Sequence, residues 1–412
     1  MTDHILQNRW YLNFLILAIL TRLLIMPFFF HPDIKTYHFQ ASFLQKGIID
    51  IYSYLPAHGG ELPLKEEFVY FPLTYFTLGV YQIMALPFLG PDFLQWLSNA
   101  SASALEMIGV FRYLFILKLP YLILDLLIAF ILTKLVSEEA NKRKVFLLWL
   151  FNPFSIIILY VFSNVDIFPV FLSVLSLLFV KKNNFLMAGL MLGLGAGFKA
   201  YPLLFVPFIF FAASKLKDKI WVLITSILPF LIIIAPFLKS SGFQQATLNS
   251  GLTTRIISNG IPIGFGEMIY PGLVLLAAIF FLGWQKNYSL FTLSAYCFSV
   301  ILAIFMNIHF HIQWLIWPMP FIVLILAYQR KWLWPFVLLG SLALSIPLLY
   351  NDSSMTVATL SVINPLFSNL PTPYKIVQHF YDPVILESVL HSILFGTGLL
   401  VIYQMLREKK EV

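Results

Sequence analysis

Long apolar runs, separated by short polar stretches, make up most of the chain. Many of them approach about 20 residues, the length with which a helix crosses a hydrocarbon layer roughly 30 Å thick. The alternating pattern of a membrane β-barrel is absent, so the chain is predicted to be an all-α polytopic membrane protein with one integral membrane domain over residues 1–412. We expect twelve spans, near residues 10–30, 111–136, 145–163, 166–180, 185–198, 200–213, 220–238, 268–285, 288–308, 311–328, 332–350 and 384–406.

Basic residues cluster between pairs of these spans. Because Lys and Arg are enriched in cytoplasmic loops, an even number of crossings should separate successive clusters. This rule places residues 31–110, 239–267 and 351–382 on the external face. It also requires that Phe68–Leu89 does not cross but dips in or lies along the surface, and its prolines favour an interrupted helix. The clusters contain Arg9, Lys134, Lys142, Arg143, Lys144, Lys181, Lys182, Lys215, Lys217, Lys219, Lys286, Arg330, Lys331, Arg407, Lys409 and Lys410.

Composition excludes a water-soluble protein of this size, because 60% of the 412 residues are hydrophobic and 11% are charged. The net charge of +7 is concentrated in the predicted cytoplasmic loops, so membrane lipids rather than nucleic acid are the expected partners. The single cysteine, Cys297, excludes a disulfide framework and a cysteine-based metal site. The first apolar stretch, Trp10–Phe30, is too long for a signal-peptide core and is expected to be retained.

Three groups of polar residues in the external segments could carry chemistry. Asp33 follows the first span, where a partly desolvated carboxylate could act as a general base or could simply be a solvated loop residue. Asn164 and Asp166 lie in a tight turn between spans, for which a turn-forming role is the default. Tyr70 belongs to an aromatic stretch that either anchors the interface or shapes a lipid or sugar pocket.

Cationic and hydrogen-bonding side chains follow further along the chain. Lys199 lies at the apex of an apolar hairpin, close to Tyr201, where its amine either reaches the interface or binds a phosphate. Arg255 lies in an external loop and could meet lipid headgroups or a phosphate. The pattern His-x-His-x-Gln is better suited to hydrogen bonding with phosphate or sugar than to a metal, because no carboxylate is near. Its residues are His309, His311 and Gln313.

Three ionisable residues lie inside apolar spans: Arg22, Lys118 and Asp125. A buried carboxylate in a membrane needs a partner. We expect Arg22 and Asp125 to form a structural ion pair.

The order of these elements resembles the C superfamily of membrane glycosyltransferases, which use polyprenyl-phosphate sugars. The similarity is to the catalytic subunit of GPI mannosyltransferase I and its bacterial and archaeal relatives, and it extends over roughly residues 10–330. Lys35 stands where the eukaryotic enzyme has a second acidic residue, and Ile51 stands in a Pro-Tyr element. The matching elements are Asp33, Gly47–Tyr52, Tyr70–Leu73, Asn152-Pro153 with Asp166, Phe198–Pro202 (the most specific) and Gln313-Trp314.

The resemblance implies a GT-C-like fold and inverting transfer of a hexose, with mannose expected. The sugar would pass from a polyprenyl-phosphate donor to a hydroxyl of a glycan, lipid or protein, with or without a small partner subunit. The site would face outward from a prokaryotic plasma membrane or into the endoplasmic reticulum, without metal or cofactor. Asp33 would be the base. Donor phosphate and sugar would be bound by Lys199, Tyr201, Arg255, His309, His311, Gln313, Asp166, Asn164 and Tyr70.

Two other classes of protein compete with an enzyme. The first is a polytopic transporter or lipid-linked-sugar flippase, which would commonly show internal repeats and polar sites near the membrane midplane. The second is a noncatalytic lipid-binding subunit. The polar residues gather on one predicted face and no repeat is visible, which favours the enzyme.

Overall fold

The computed structural model describes residues 2–250, 254–284 and 288–408, with side chains from residue 9 onward. Lys286, Lys409 and Lys410 of the predicted cytoplasmic clusters therefore lie outside the described residues. The described chain is overwhelmingly helical. Its α-helices are α1 (Thr2–Ile25), α2 (Pro32–Ala41), α3 (Ile51–His58), α4 (Pro72–Leu89), α5 (Phe93–Ser98), α6 (Val110–Leu135), α7 (Glu139–Leu150), α8 (Pro153–Ile156), α9 (Ile167–Lys181), α10 (Phe185–Ala196), α11 (Val206–Ala212), α12 (Leu216–Ile234), α13 (Ser241–Phe243), α14 (Pro271–Leu282), α15 (Leu290–Asn307), α16 (Met319–Tyr328), α17 (Leu333–Leu348), α18 (Pro373–Gln378) and α19 (Pro383–Arg407).

Short 3₁₀ and π segments extend or connect several of these helices. The π segments are Ile157–Val161 and Gln244–Leu248. The 3₁₀ segments are Ser42–Lys46, Ala102–Glu106, Tyr201–Phe205, Ala235–Phe237, Arg255–Ile257, Ile312–Ile316, Arg330–Trp332, Ser353–Met355, Val357–Leu360 and Pro365–Asn369.

Seven helical stretches in the described part of the chain are long and apolar enough to cross a membrane, which supports an all-α membrane protein. Six of them coincide with predicted spans, whereas five other predicted spans fall on apolar helices of 10–17 residues. A helix of 12 residues is only about 18 Å long. Twelve crossings therefore remain a prediction. The seven stretches are Pro72–Leu89, Val110–Leu135, Glu139–Val161, Leu216–Phe237, Leu290–Asn307, Arg330–Leu348 and Pro383–Arg407.

The expectation of an interrupted helix within Phe68–Leu89 is wrong. Helix α4 runs without a break from Pro72 to Leu89. Pro72 occupies the first turn, where a missing N–H costs nothing, and Pro87 lies in the last turn, so neither proline interrupts the hydrogen-bond ladder at mid-helix.

The segment 239–267, which is predicted to be external, leads into a short element that the all-α prediction does not include. This element is a two-stranded antiparallel hairpin of β1 (Ile261–Gly264) and β2 (Glu267–Ile269). Phe265, at the turn, has a φ of 49° and is flanked by Gly264 and Gly266 at φ values of 122° and 83°. The two glycines adopt this left-handed backbone readily, which allows the tight reversal.

Helix α1 is fixed to α6 by the predicted ion pair between Arg22 and Asp125, which is confirmed. Arg22 Nε lies 2.6 Å from Asp125 Oδ2, and both side chains are fully buried. Trp149 Nε1 and the Tyr160 hydroxyl donate to the same carboxylate at 2.8 and 2.7 Å. A buried charge pair is tolerated when its remaining hydrogen-bonding positions are filled in this way.

Candidate active site

A cavity of about 920 Å³ brings together residues from α2, the stretch before α4, the connection after α10 and the segment before α16. Its lining combines polar and charged side chains with apolar ones. Seven of the predicted site residues line it: Asp33, Tyr70, Lys199, Tyr201, Arg255, His311 and Gln313.

Asp33 is placed in the first turn of α2 by the sequence His-Pro-Asp. His31 caps the helix, because its Nδ1 accepts from the Asp33 backbone N–H at 3.3 Å. The carboxylate oxygen Oδ2 accepts from the Tyr37 hydroxyl and from Gln313 Nε2, both at 2.8 Å. The other oxygen, Oδ1, accepts no hydrogen bond from the described residues, and His31 Nδ1 lies 3.5 Å from it. The Asp33 side chain is 27% exposed, so Oδ1 is a partly desolvated proton acceptor.

The histidine beside Asp33 is neutral. Burial lowers the pKa of His31, outweighing the opposite effect of the Asp33 carboxylate. Since Nδ1 accepts a hydrogen bond from the backbone, the ring proton is assigned to Nε2. His31 therefore supplies no charge that would compete for the Asp33 proton site.

Lys199 is paired with Asp166. Its Nζ lies 3.0 Å from Asp166 Oδ2 and 3.2 Å from Oδ1, and the carboxylate is 1% exposed. Trp317 Nε1 donates to Asp166 Oδ2 at 2.7 Å. The Lys199 side chain, which is 19% exposed, thus pairs with a carboxylate in the turn before α9 and also lines the cavity.

Three aromatic rings enclose the Lys199 ammonium. Its Nζ lies 5.3 Å from the ring centre of Tyr70, 4.8 Å from Trp314 and 4.7 Å from Trp317. Trp317 also stacks on Tyr201 with centroids 4.3 Å apart. Aromatic faces attract a cation, so this cage holds the amine in place even where one N–H is free to meet a ligand.

Asn164 lies outside the cavity lining and bonds to the backbone of the turn that carries Asp166. Its Oδ1 accepts from the Asp166 N–H at 2.6 Å. This is the local turn that the sequence predicts for an Asn-x-Asp stretch, and it orients the Asp166 carboxylate toward Lys199.

Arg255 is the second cation of the cavity. It forms no ion pair with a carboxylate in the part of the chain that the structure describes. Its guanidinium donates to the His309 backbone carbonyl and lies 5.5 Å from the Trp314 ring centre. Because Lys199 is paired with Asp166, Arg255 is the cation left available. The lining also holds the acidic residues Asp33, Glu66, Glu67 and Asp352.

The two histidines of the His-x-His pattern line different cavities. His311 lines the main cavity, and burial, aided by the charge of Arg255, lowers its pKa to about 4. Its ring is therefore a neutral hydrogen-bonding group near pH 7. His309 stacks on Tyr350 at 4.2 Å and lines a different cavity, of about 450 Å³. Its side chain lies outside the main cavity lining, and its carbonyl oxygen accepts from Arg255, so its role in donor binding stays a prediction.

Lys35 stands where the eukaryotic enzyme that the sequence resembles has a second acidic residue. Its side chain is directed away from the cavity. Its amine donates to the Asn99 carbonyl and lies 5.4 Å from the Trp96 ring centre. Burial lowers its pKa to about 8. Within the described ranges, no three His, Cys, Asp or Glu side chains are arranged to hold a metal ion.

Sequence reasoning missed Tyr37 and Trp317. Tyr37 follows Asp33 by four residues, and on a helix this spacing puts the two side chains on one face, so the signal was present once α2 is recognised as helical. The hydroxyl of Tyr37 also lies 3.0 Å from that of Tyr70. Trp317 pairs with Asp166 across 151 positions, and no local pattern predicts such a contact.

Several of the sequence elements that carry the resemblance contact one another in the structure. Tyr52 donates to the Tyr70 carbonyl at 2.7 Å. The Leu73 N–H donates to the Gly197 carbonyl at 3.0 Å, just before Lys199. A Cβ on Gly197 would lie 2.7 Å from the Leu73 side chain and 2.8 Å from that of Ile233, so these side chains pack closely over the glycine.

Apolar side chains also line the cavity. They include Leu204, Leu273, Leu276 and Ile304, contributed by the segment after Lys199 and by α14 and α15. Helix α14 has a largely exposed apolar surface, on which Leu273 is 43% exposed. The cavity can therefore hold a polar head beside its charged residues and an apolar chain beside α14.

The chain matches no family model and no curated protein.

Proposed function

We propose that this protein is an inverting membrane glycosyltransferase, which moves a hexose from a polyprenyl-phosphate donor to an acceptor hydroxyl. The observation that carries the proposal is a carboxylate with one free oxygen in a cavity that two cations and several apolar side chains also line. The residues are Asp33, Lys199 and Arg255. The resemblance to the C superfamily gives this combination its interpretation.

The hydrogen bonds of Asp33 select the oxygen that acts as base. Oδ2 is held by Tyr37 and Gln313, so Oδ1 accepts the proton of the acceptor hydroxyl. The acceptor oxygen then bonds to the anomeric carbon of the donor. The bond from that carbon to the phosphate oxygen breaks, and the phosphate leaves with the electron pair. Attack from the face opposite the leaving group inverts the configuration.

The positive charge of Arg255 and a free N–H of Lys199 would stabilise the departing phosphate, whose negative charge grows as the bond breaks. His311, being neutral, would contribute a hydrogen bond to phosphate or sugar. The apolar lining beside α14 suits the first isoprene units of the donor chain. These roles differ from the sequence-based expectation. Because Lys199 is paired with Asp166, Arg255 becomes the main phosphate partner.

The test uses the purified protein in lipid vesicles with radiolabelled polyprenyl-phosphate mannose or glucose and a panel of lipid, glycan and peptide acceptors. We expect a radiolabelled product in which the anomeric configuration is opposite to that of the donor. Movement of intact donor across the bilayer without product would support the flippase alternative. Binding of donor without either outcome would support a noncatalytic lipid-binding subunit.

A further inference from the structure

Lys118 is a fully buried lysine near the outer end of α6, about 12 Å from the helix start. Its amine donates to three backbone carbonyls, those of Met26 and Tyr160 at 2.8 Å and that of Phe29 at 2.7 Å. No carboxylate in the described residues pairs with it. A lysine inside an apolar span is costly, so its retention there calls for a specific role.

The three carbonyls belong to the segments that carry the two carboxylates of the candidate site. Met26 and Phe29 lie in the turn after α1, and Asp33 follows Phe29 by four residues. Tyr160 lies in the π segment that leads to Asp166, six residues on. Carbonyl groups at irregular helix ends lack intrahelical donors, and in an apolar layer an unpaired one is expensive. One amine supplies the missing donor to both segments.

We propose that Lys118 is a positioning residue that fixes the Asp33 segment relative to the Asp166–Lys199 pair. The expected fall in kcat rests on the proposed function, whereas the expected displacement of residues 26–33 does not. Lys118 touches none of the predicted reacting atoms, so it acts through the backbone of residues 26–31 and 160–166.

The contacts around Lys118 indicate that its amine positions the Asp33 segment and is not needed for the packing of the helices. Helices α1 and α6 are already joined by the Arg22–Asp125 pair, and Tyr160 is tied to the same carboxylate through its hydroxyl. These bonds do not involve Lys118. In the turn after α1, by contrast, Lys118 makes the only bonds from the described residues to the carbonyls of Met26 and Phe29. The backbone bond to another segment that would remain is that of the Phe30 N–H to the Thr359 carbonyl at 2.8 Å, beside the contact of the Phe28 and Phe111 rings, with centroids 5.7 Å apart. Loss of the amine should therefore release the Asp33 segment and leave the helix packing in place.

The experiment compares Lys118→Met with Lys134→Met, which makes the same change at an exposed position of the same helix. Electron cryomicroscopy in nanodiscs should show residues 26–33 displaced or less ordered in Lys118→Met, with the Arg22–Asp125 and Lys199–Asp166 pairs retained. Since a shift of about 1 Å in reacting groups costs on the order of 100-fold, we expect kcat to fall by about that factor. The KM for donor should stay within about threefold, because the phosphate-binding residues do not move.

Residues 26–33 in the wild-type position with unchanged kcat would overturn the proposal, as would a loss of kcat in Lys134→Met of the same size. If Lys118→Met does not fold, Lys118→Gln decides, because its amide keeps two N–H donors. An intermediate kcat with a smaller displacement of residues 26–33 is expected, and a lowered kcat with these residues in the wild-type position would refute the inference. If the wild-type protein transfers no sugar, the proposed function fails, and the position of residues 26–33 in the variant still decides the role of Lys118.

Discussion

At the scale of single residues, the two carboxylates of the site differ in what surrounds them. Asp166 is enclosed by Lys199, Trp317 and its own turn, and it is 1% exposed. Asp33 is bonded through one oxygen and is 27% exposed. A carboxylate already matched to an ammonium is a poor base, whereas one with a free, partly desolvated oxygen is a good one. The environment thus favours Asp33 as the base.

Tyr37 tests this distinction, since it donates to the oxygen that we assign to orientation. In Tyr37→Phe the carboxylate loses a charge-assisted hydrogen bond of about 1.5–3 kcal/mol, and kcat/KM should fall by about 10- to 100-fold. Tyr54→Phe, which lies outside the cavity lining, is the control. Equal activity of the two variants in the radiolabel assay would show that Tyr37 does not orient Asp33.

His311 provides a prediction about pH. Its pKa of about 4 lies below its ordinary value because burial disfavours the charged ring, so the ring stays neutral from about pH 5.5 to pH 8. His311→Asn keeps a neutral hydrogen-bonding group and should lower the rate without changing the shape of the pH–rate profile over that interval. A titration near pH 6.5 that disappears in the variant would contradict the neutral assignment.

At the scale of elements, the turn before α9 and the connection after α10 are joined by the Asp166–Lys199 pair. Removing one partner of a buried pair leaves an uncompensated charge and costs about 3–5 kcal/mol, with the lower value more apt because Lys199 is 19% exposed. Lys199→Met should therefore lower the thermal unfolding temperature, and Asp166→Asn combined with Lys199→Met should recover part of it. Scanning fluorimetry of the purified proteins measures both.

The exposed pair of Lys142 and Glu139 is the matched control, with side chains 36% and 40% exposed. Lys142→Met should leave the unfolding temperature almost unchanged, because exposed pairs contribute little. A double variant no more stable than Lys199→Met alone would show that the Asp166 charge is not the cause of the loss.

The same elements show what the sequence could predict. The span predicted at 166–180 corresponds to Ile167–Lys181, and that at 185–198 to Phe185–Ala196, because apolar runs bounded by Asn, Asp or Lys mark helix limits well. The hairpin Ile261–Ile269 was missed, since nine residues rich in Gly and Ile carry no clear hydrophobic period. Pairings such as Asp166 with Trp317 depend on tertiary packing, which local patterns do not encode.

At the scale of the whole molecule, the number and sense of the crossings decide which face the cavity opens to. Helix α4 is long and apolar enough to cross. Its contacts, however, favour a slanted course near the site: Tyr81 donates to the Ile116 carbonyl in the second turn of α6, and the Arg112 guanidinium lies beside Gly90. Beyond α4, the Asn99 carbonyl accepts from Lys35 of α2, so the chain returns to the segment that precedes α4.

Cysteine labelling tests this topology. Cys297 is buried, so single cysteines can be introduced in a Cys297→Ala background and labelled with a membrane-impermeant maleimide from each side. We expect Ser137→Cys and Ser353→Cys to react from opposite sides, and Gly60→Cys and Ala100→Cys to react from the same side as Ser353→Cys. Labels at residues 137 and 353 on one side would refute the alternation. Labels at 60 and 100 on opposite sides would show that α4 crosses.

The central claim, that the Asp33 carboxylate is the base of a glycosyl transfer, is tested most directly by one measurement. Purified Asp33→Asn is compared with Asp92→Asn, an exposed aspartate outside the cavity lining, in vesicles with radiolabelled polyprenyl-phosphate mannose and the acceptor that the wild-type protein uses. Asp33→Asn should still bind donor, since the cations are untouched, and should form no product above background, while Asp92→Asn retains wild-type turnover. Normal turnover in Asp33→Asn would contradict the assignment.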